Sequence, residues 1–131
     1  MTARIDEELE LLRSWWVGLE YEATARWVLL RGYHVPAGIW NHDVLDVAFQ
    51  IPAHLPAEAP YGFYVRPGLA LISGAAPSNY TYPSAEPPFG DGPWGKFSWA
   101  PVAWQPTVEA RGGDNMVCFA SSIADRLREA S

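Results

Sequence analysis

The side chains of this chain that could carry covalent chemistry are few. Cys118 is its only thiol. A thiol acts as a nucleophile only as an exposed thiolate near oxyanion donors. Hydroxyls are more plentiful: Ser73, Ser78, Thr81, Ser84 and Ser98 all fall in the stretch 66–106. A hydroxyl needs an activating base, and the only imidazoles are His34, His42 and His54, any of which could in principle take a proton. A serine in proline- and glycine-rich sequence is ordinarily a turn residue. His42 and Asp43 are adjacent, but no second pair gives the ligand spacing of a tetrahedral metal site; no metal and no cofactor are expected. Phosphate-cradling glycine loops, the dinucleotide fingerprint and the G-x-S-x-G elbow are all missing from the sequence. Of the seven tryptophans, Trp94, Trp99 and Trp104 lie in the same stretch and are candidates for a binding surface, although aromatics more commonly pack a core.

These residues must be positioned by elements that the sequence announces unevenly. Ile5, Leu9 and Leu12 recur at helical spacing among Glu7, Glu8, Glu10 and Arg13, which predicts an amphipathic helix over about residues 4–14 with a solvated acidic face. The stretch from Trp15 to Glu22 is aromatic and β-prone. Ala25 to Tyr33 reads as a strong strand and Val44 to Ile51 as the next, separated by a turn from Val35 to His42. The run Pro52-Ala53-His54-Leu55-Pro56-Ala57-Glu58-Ala59-Pro60 must then stop the strand, because each proline lacks a backbone donor and fixes φ. Tyr61 to Val65 resumes as a strand. Residues 66–106 carry no sustained periodicity, yet Trp94, Phe97, Trp99 and Trp104 argue for an ordered, packed, irregular segment. Glu109 to Asp114 is a polar loop, and Asp114 a fitting N-cap. Met116, Phe119, Ala120, Ile123 and Leu127 then form one helical face, with Cys118 roughly opposite Met116.

The chain has 131 residues, 49% of them hydrophobic, enough for a single domain over 1–131 with its own core. Its net charge is −6, with 9 basic residues scattered singly among 15 acidic ones; nucleic-acid binding, which needs a basic stripe, is not expected. No apolar run reaches the length of a membrane span. The acidic start Met1 to Glu8 is not a signal peptide, so the expected compartment is the cytoplasm. One cysteine cannot build an internal disulfide framework.

The order of helix, antiparallel four-stranded meander, proline-rich turn, long irregular segment and C-terminal helix resembles the ubiquitin-conjugating fold, an α+β architecture. Within that superfamily the chain is similar to a prokaryotic branch called family E. The residues carrying the resemblance are Val35-Pro36-Ala37-Gly38-Ile39, the strand from Val44 to Pro52, Pro56, Pro60, Phe63-Tyr64-Val65-Arg66-Pro67, Leu69, Phe97-Ser98-Trp99 and Trp104-Gln105-Pro106, completed by the helix from Asp114 to Leu127. Two departures stand out. The His-Pro-Asn tripeptide that precedes the cysteine of eukaryotic members is missing, Asn79 being the only asparagine in that segment. Where the bacterial branch often shows Ser-Arg-His, this chain reads Ser98-Trp99-Ala100. The polar stretch from Glu109 to Gly113 reads as an insertion.

What the resemblance implies is a conjugating-enzyme-like component of a bacterial ubiquitin-like modification pathway, with a ubiquitin-like protein and an activating-enzyme homologue as partners. Cys118 falls in the last helix, after the segment where relatives keep their nucleophile, so the standard catalytic cysteine is missing from its place. Ser98, inside that segment, is then the candidate for carrying the modifier on a hydroxyl. A second reading is a non-catalytic adaptor for the ubiquitin-like protein or its activating enzyme. A third is a small-molecule-binding module, which would need a deep apolar pocket with convergent polar groups.

Overall fold

The computed structural model describes residues 2–55, 57–90, 93–101, 103–107 and 109–129. Pro56, one of the three turn prolines, lies outside them. The chain begins with α1 (Thr2–Trp15), then β1 (Glu20–Glu22), β2 (Trp27–His34), β3 (Val44–Gln50), β4 (Phe63–Arg66), β5 (Tyr80–Ser84) and β6 (Trp94–Phe97), and ends with α2 (Met116–Leu127). One 3-10 turn, Ala110–Gly112, precedes α2.

The four-stranded expectation is corrected: the sheet has six strands in the order β1-β2-β3-β4-β6-β5, every neighbouring pair antiparallel. Both extra strands come from the stretch read as irregular. Their sequences, YTYPS and WGKF, carry a proline and a glycine where strand patterns normally carry β-branched residues. β5 tolerates Pro83 because it is the edge strand. The β-prone stretch after residue 14 is also shorter than expected. Trp15 ends α1, and only Glu20–Glu22 pairs with β2.

Both helices pack on one face of the sheet. Leu9 and Leu12 of α1 and Met116, Phe119, Ala120, Ile123 and Leu127 of α2 meet Val28, Leu30, Val47, Phe49, Phe63, Val65 and Phe97 in one core. Strand alternation sends the intervening residues to the other face. There Trp27, Leu29, Ala48, Tyr64 and Trp94 form a second, smaller cluster under Ala25 and Phe89. The alternation slips once in β2, between Leu30 and Tyr33, where Gly32 adopts φ 71° and lets both residues face the helices. Tyr33 uses that position to donate its hydroxyl to the Ala120 carbonyl at 2.6 Å, and burial pushes its phenol up to about 12.

Candidate partner-binding site

The outer face of α2 carries Cys118, Ser122 and Asp125 at spacings of four and three residues, which stack on one side of a helix, and Glu129 follows just past its end. The chain between β6 and α2 runs back along this face. Trp99, Ala100 and Pro101 line a groove of about 350 Å³ together with Ser122, Asp125, Arg126 and Glu129. Gln105, Pro106 and Thr107 line a second groove, of about 600 Å³, with Arg111, Gly112, Gly113, Asp114 and Cys118. Two grooves thus border α2, one near each of its ends, with no lining residue in common.

The groove near Cys118 is held by α1. Glu8 is fully buried, and its carboxylate accepts from Arg4 Nε at 2.9 Å and from the Met116 N–H at 2.8 Å. Arg4 also donates to the Thr107 carbonyl at 2.8 Å. One carboxylate thus satisfies a terminal donor of α2 while its partner ties down the connecting segment. Asn115, not Asp114, is the N-cap: its side chain accepts from the Cys118 N–H at 2.9 Å. Asp114 turns instead to the segment, its carboxylate accepting from the Gln105 N–H at 2.6 Å. A Cβ on Gly113 would stand 2.7 Å from the Gln105 carbonyl oxygen, so only glycine allows this approach. Cys118 is exposed in the first turn of α2.

The Trp99 groove is held by Arg126, which is 3% exposed on an otherwise apolar helix face. Its guanidinium lies 4.8 Å from the Phe97 ring centroid and donates to the Ser78 carbonyl at 2.7 Å. Burial pulls its basicity down, and Glu129, 3.8 Å away, opposes that. The next residue, Asn79, takes φ 55°, and its carbonyl accepts from the Ser98 N–H at 2.9 Å. Trp99 follows, with its ring 6.0 Å from Phe63 and 6.1 Å from Phe119, and its carbonyl accepts from the Gly62 N–H. Trp99 is therefore wedged into the core on one side and forms groove wall on the other.

The residues selected from sequence are only partly brought together. Ser98 sits half-buried at the end of β6, next to the groove wall; among the described residues no imidazole or carboxylate bonds its hydroxyl. Trp99 lines the groove, and Trp104 packs half-buried against the helix-side core. Trp94 is 1% exposed in the cluster on the opposite face of the sheet, with Arg66 4.3 Å over its ring. His34 and His54 are exposed, His42 is half-buried, and none of the three lines either groove. Arg126, Asp125, Ser122 and the Glu8–Arg4 pair were not singled out from sequence. The one available signal was a cation at a position that continues the apolar stripe of α2.

The model of the family described as prokaryotic E2 family E matches residues 6–130. The chain belongs to this family. The match covers α1 from Asp6 onward, all six strands, α2 and both grooves, and it makes the protein a conjugating-enzyme-like one at family level. Neither the curated proteins nor the solved structures contain a match to it. The described residues hold no cluster of three or more metal-ligating side chains, and no helix among them is long and apolar enough to cross a membrane.

Proposed function

We propose that this family E protein serves a ubiquitin-like modification pathway as a docking component, holding a ubiquitin-like protein or its activating enzyme non-covalently in the Trp99 groove beside α2. The observation that carries the reading is the wedged Trp99: an indole braced by Phe63 and Phe119 and presented beside Ser122, Asp125 and Arg126. A rigid aromatic in the wall of a mixed polar and apolar groove is a common anchor of a protein interface. The open form of the groove suits a protein segment better than an enclosed small molecule.

Carriage of the modifier on Ser98 is the second reading. It is favoured by one observation: Ser98 immediately precedes the groove residue Trp99, with its backbone N–H donating to the Asn79 carbonyl. A hydroxyl that attacks a thioester must lose its proton to a base, and none is bonded to it among the described residues. Holding is thus better supported than carrying.

The test is calorimetric titration of the protein with the ubiquitin-like protein and the activating-enzyme homologue of its own genome. Trp99→Ala should weaken binding by about 2 kcal/mol or more, as for a central anchor. Trp94→Phe, on the other face of the sheet, should leave affinity unchanged. Equal affinity of wild type and Trp99→Ala would remove the groove from the account.

A further inference from the structure

A buried arginine on the core face of a helix needs an explanation that stability alone does not supply. Arg126 continues the stripe Met116, Phe119, Ala120, Ile123 and Leu127, where an aliphatic residue would pack. Replacing a buried ion by an apolar residue of similar volume is often neutral or stabilising. Arg126 instead reaches to the turn before β5 and donates to the Ser78 carbonyl. That peptide leads directly into Asn79, whose left-handed φ of 55° aims its own carbonyl at the Ser98 N–H. The Phe97 ring, next to Ser98 in sequence, lies under the guanidinium. The same guanidinium-bearing residue lines the groove beside Trp99. One side chain therefore holds the peptide that leads to the Ser98 contact and also lines the groove whose wall begins with the next residue, Trp99.

We propose that Arg126 is the positioning residue of the docking groove: through Ser78 and Asn79 it sets where Ser98 and Trp99 stand, and so whether the ubiquitin-like protein can seat. This rests on the docking reading above, and it makes the 78–79 turn part of the site although that turn lines neither groove. Lysine cannot fully replace it, because an ammonium offers a point charge where the guanidinium has several donors in a planar fork.

Native-state amide exchange, read residue by residue on wild type, Arg126→Met and Arg126→Lys, tests this, together with titration of each by the ubiquitin-like protein. In Arg126→Met the Ser98 amide should exchange faster by about tenfold or more while the amides of β2 and β3 keep their protection. Partner affinity should fall by about tenfold or more in the same variant. Arg126→Lys should fall between, and it carries the test if the methionine variant does not fold. Uniform acceleration across β2, β3 and Ser98 would make Arg126 an ordinary stabilising residue. Unchanged Ser98 exchange, or altered exchange with unchanged affinity, would equally overturn the proposal. Failure of wild type to bind either partner would sink the docking reading, while the exchange experiment still judges the link from Arg126 to Ser98.

Discussion

The carboxylate of Glu8 accepts a hydrogen bond from the backbone N–H of Met116, 108 residues further along the chain. This bond joins the first helix to the start of the last one and, through Arg4, to the Thr107 carbonyl of the segment that walls the groove near Cys118. A buried carboxylate with both oxygens engaged is costly to remove, because its cationic partner is left behind. Glu8→Ala should destabilise the protein by about 3–5 kcal/mol. Glu8→Gln, which keeps an acceptor for Met116, should cost less. Urea unfolding measures both; a loss below about 1 kcal/mol in Glu8→Ala would show that the pair does not hold the helices together.

Glu86 offers a pH-dependent counterpart on the opposite face of the sheet. Its carboxylate accepts from the Tyr64 hydroxyl at 2.6 Å and from Lys96 at 3.3 Å. The tyrosine bond first, and the lysine after it, hold its pKa below the usual carboxylate value. A group depressed in the folded state contributes stability that is present above its unfolded value and lost as pH falls through the folded one. Thermal unfolding followed from about pH 6 to about pH 3 should therefore show a shallower acid-side loss in Glu86→Gln than in wild type. An identical slope would mean that the Tyr64 contact contributes nothing in solution.

The two helices are legible in the sequence because their apolar residues recur at helical spacing, and β2, β3 and β4 because they are rich in β-branched and aromatic residues. All five apolar positions assigned to the α2 face are fully buried. β5 and β6 are not legible, since Pro83 and Gly95 replace the residues that mark strands. Gly95 is demanded by a contact no local pattern contains: a Cβ there would meet the Tyr80 hydroxyl at 2.0 Å. The candidate site is half legible. Ser98, Trp99 and Cys118 stand out by residue type, whereas Glu8 reads as part of a solvated face and nothing local but its place on the α2 stripe marks Arg126, because burial of a charge depends on partners that lie 108 and 48 residues away.

Gly62 is a second position fixed by long-range packing. It adopts φ 80°, donates its N–H to the Trp99 carbonyl, and would place a Cβ 2.9 Å from the Phe97 carbonyl oxygen. Gly62→Ala is strained on both counts and should cost about 1–3 kcal/mol, with loosening of Trp99. Chemical denaturation gives the first quantity and indole NMR shifts the second. A fully stable Gly62→Ala with unmoved Trp99 shifts would contradict the geometry of the groove wall.

Cys118 is exposed, and its backbone N–H rather than its thiol serves the fold. It should react stoichiometrically with a thiol reagent in the folded state. Cys118→Ala should keep stability within about 0.5 kcal/mol and retain partner binding. Loss of partner binding with an intact fold would move the thiol from bystander to participant.

Holding a partner and carrying one differ in a single covalent bond, and that bond can be weighed. The protein is mixed with the activating-enzyme homologue of its genome, ATP and the ubiquitin-like protein, with the activating enzyme first shown to charge itself. Intact-mass spectrometry before and after hydroxylamine then reads the outcome in wild type, Ser98→Ala and Cys118→Ala. The account predicts an unmodified mass for all three, together with a stable complex that depends on Trp99. A hydroxylamine-sensitive adduct on wild type that vanishes in Ser98→Ala or in Cys118→Ala would contradict it, and the variant that loses the adduct would name the nucleophile.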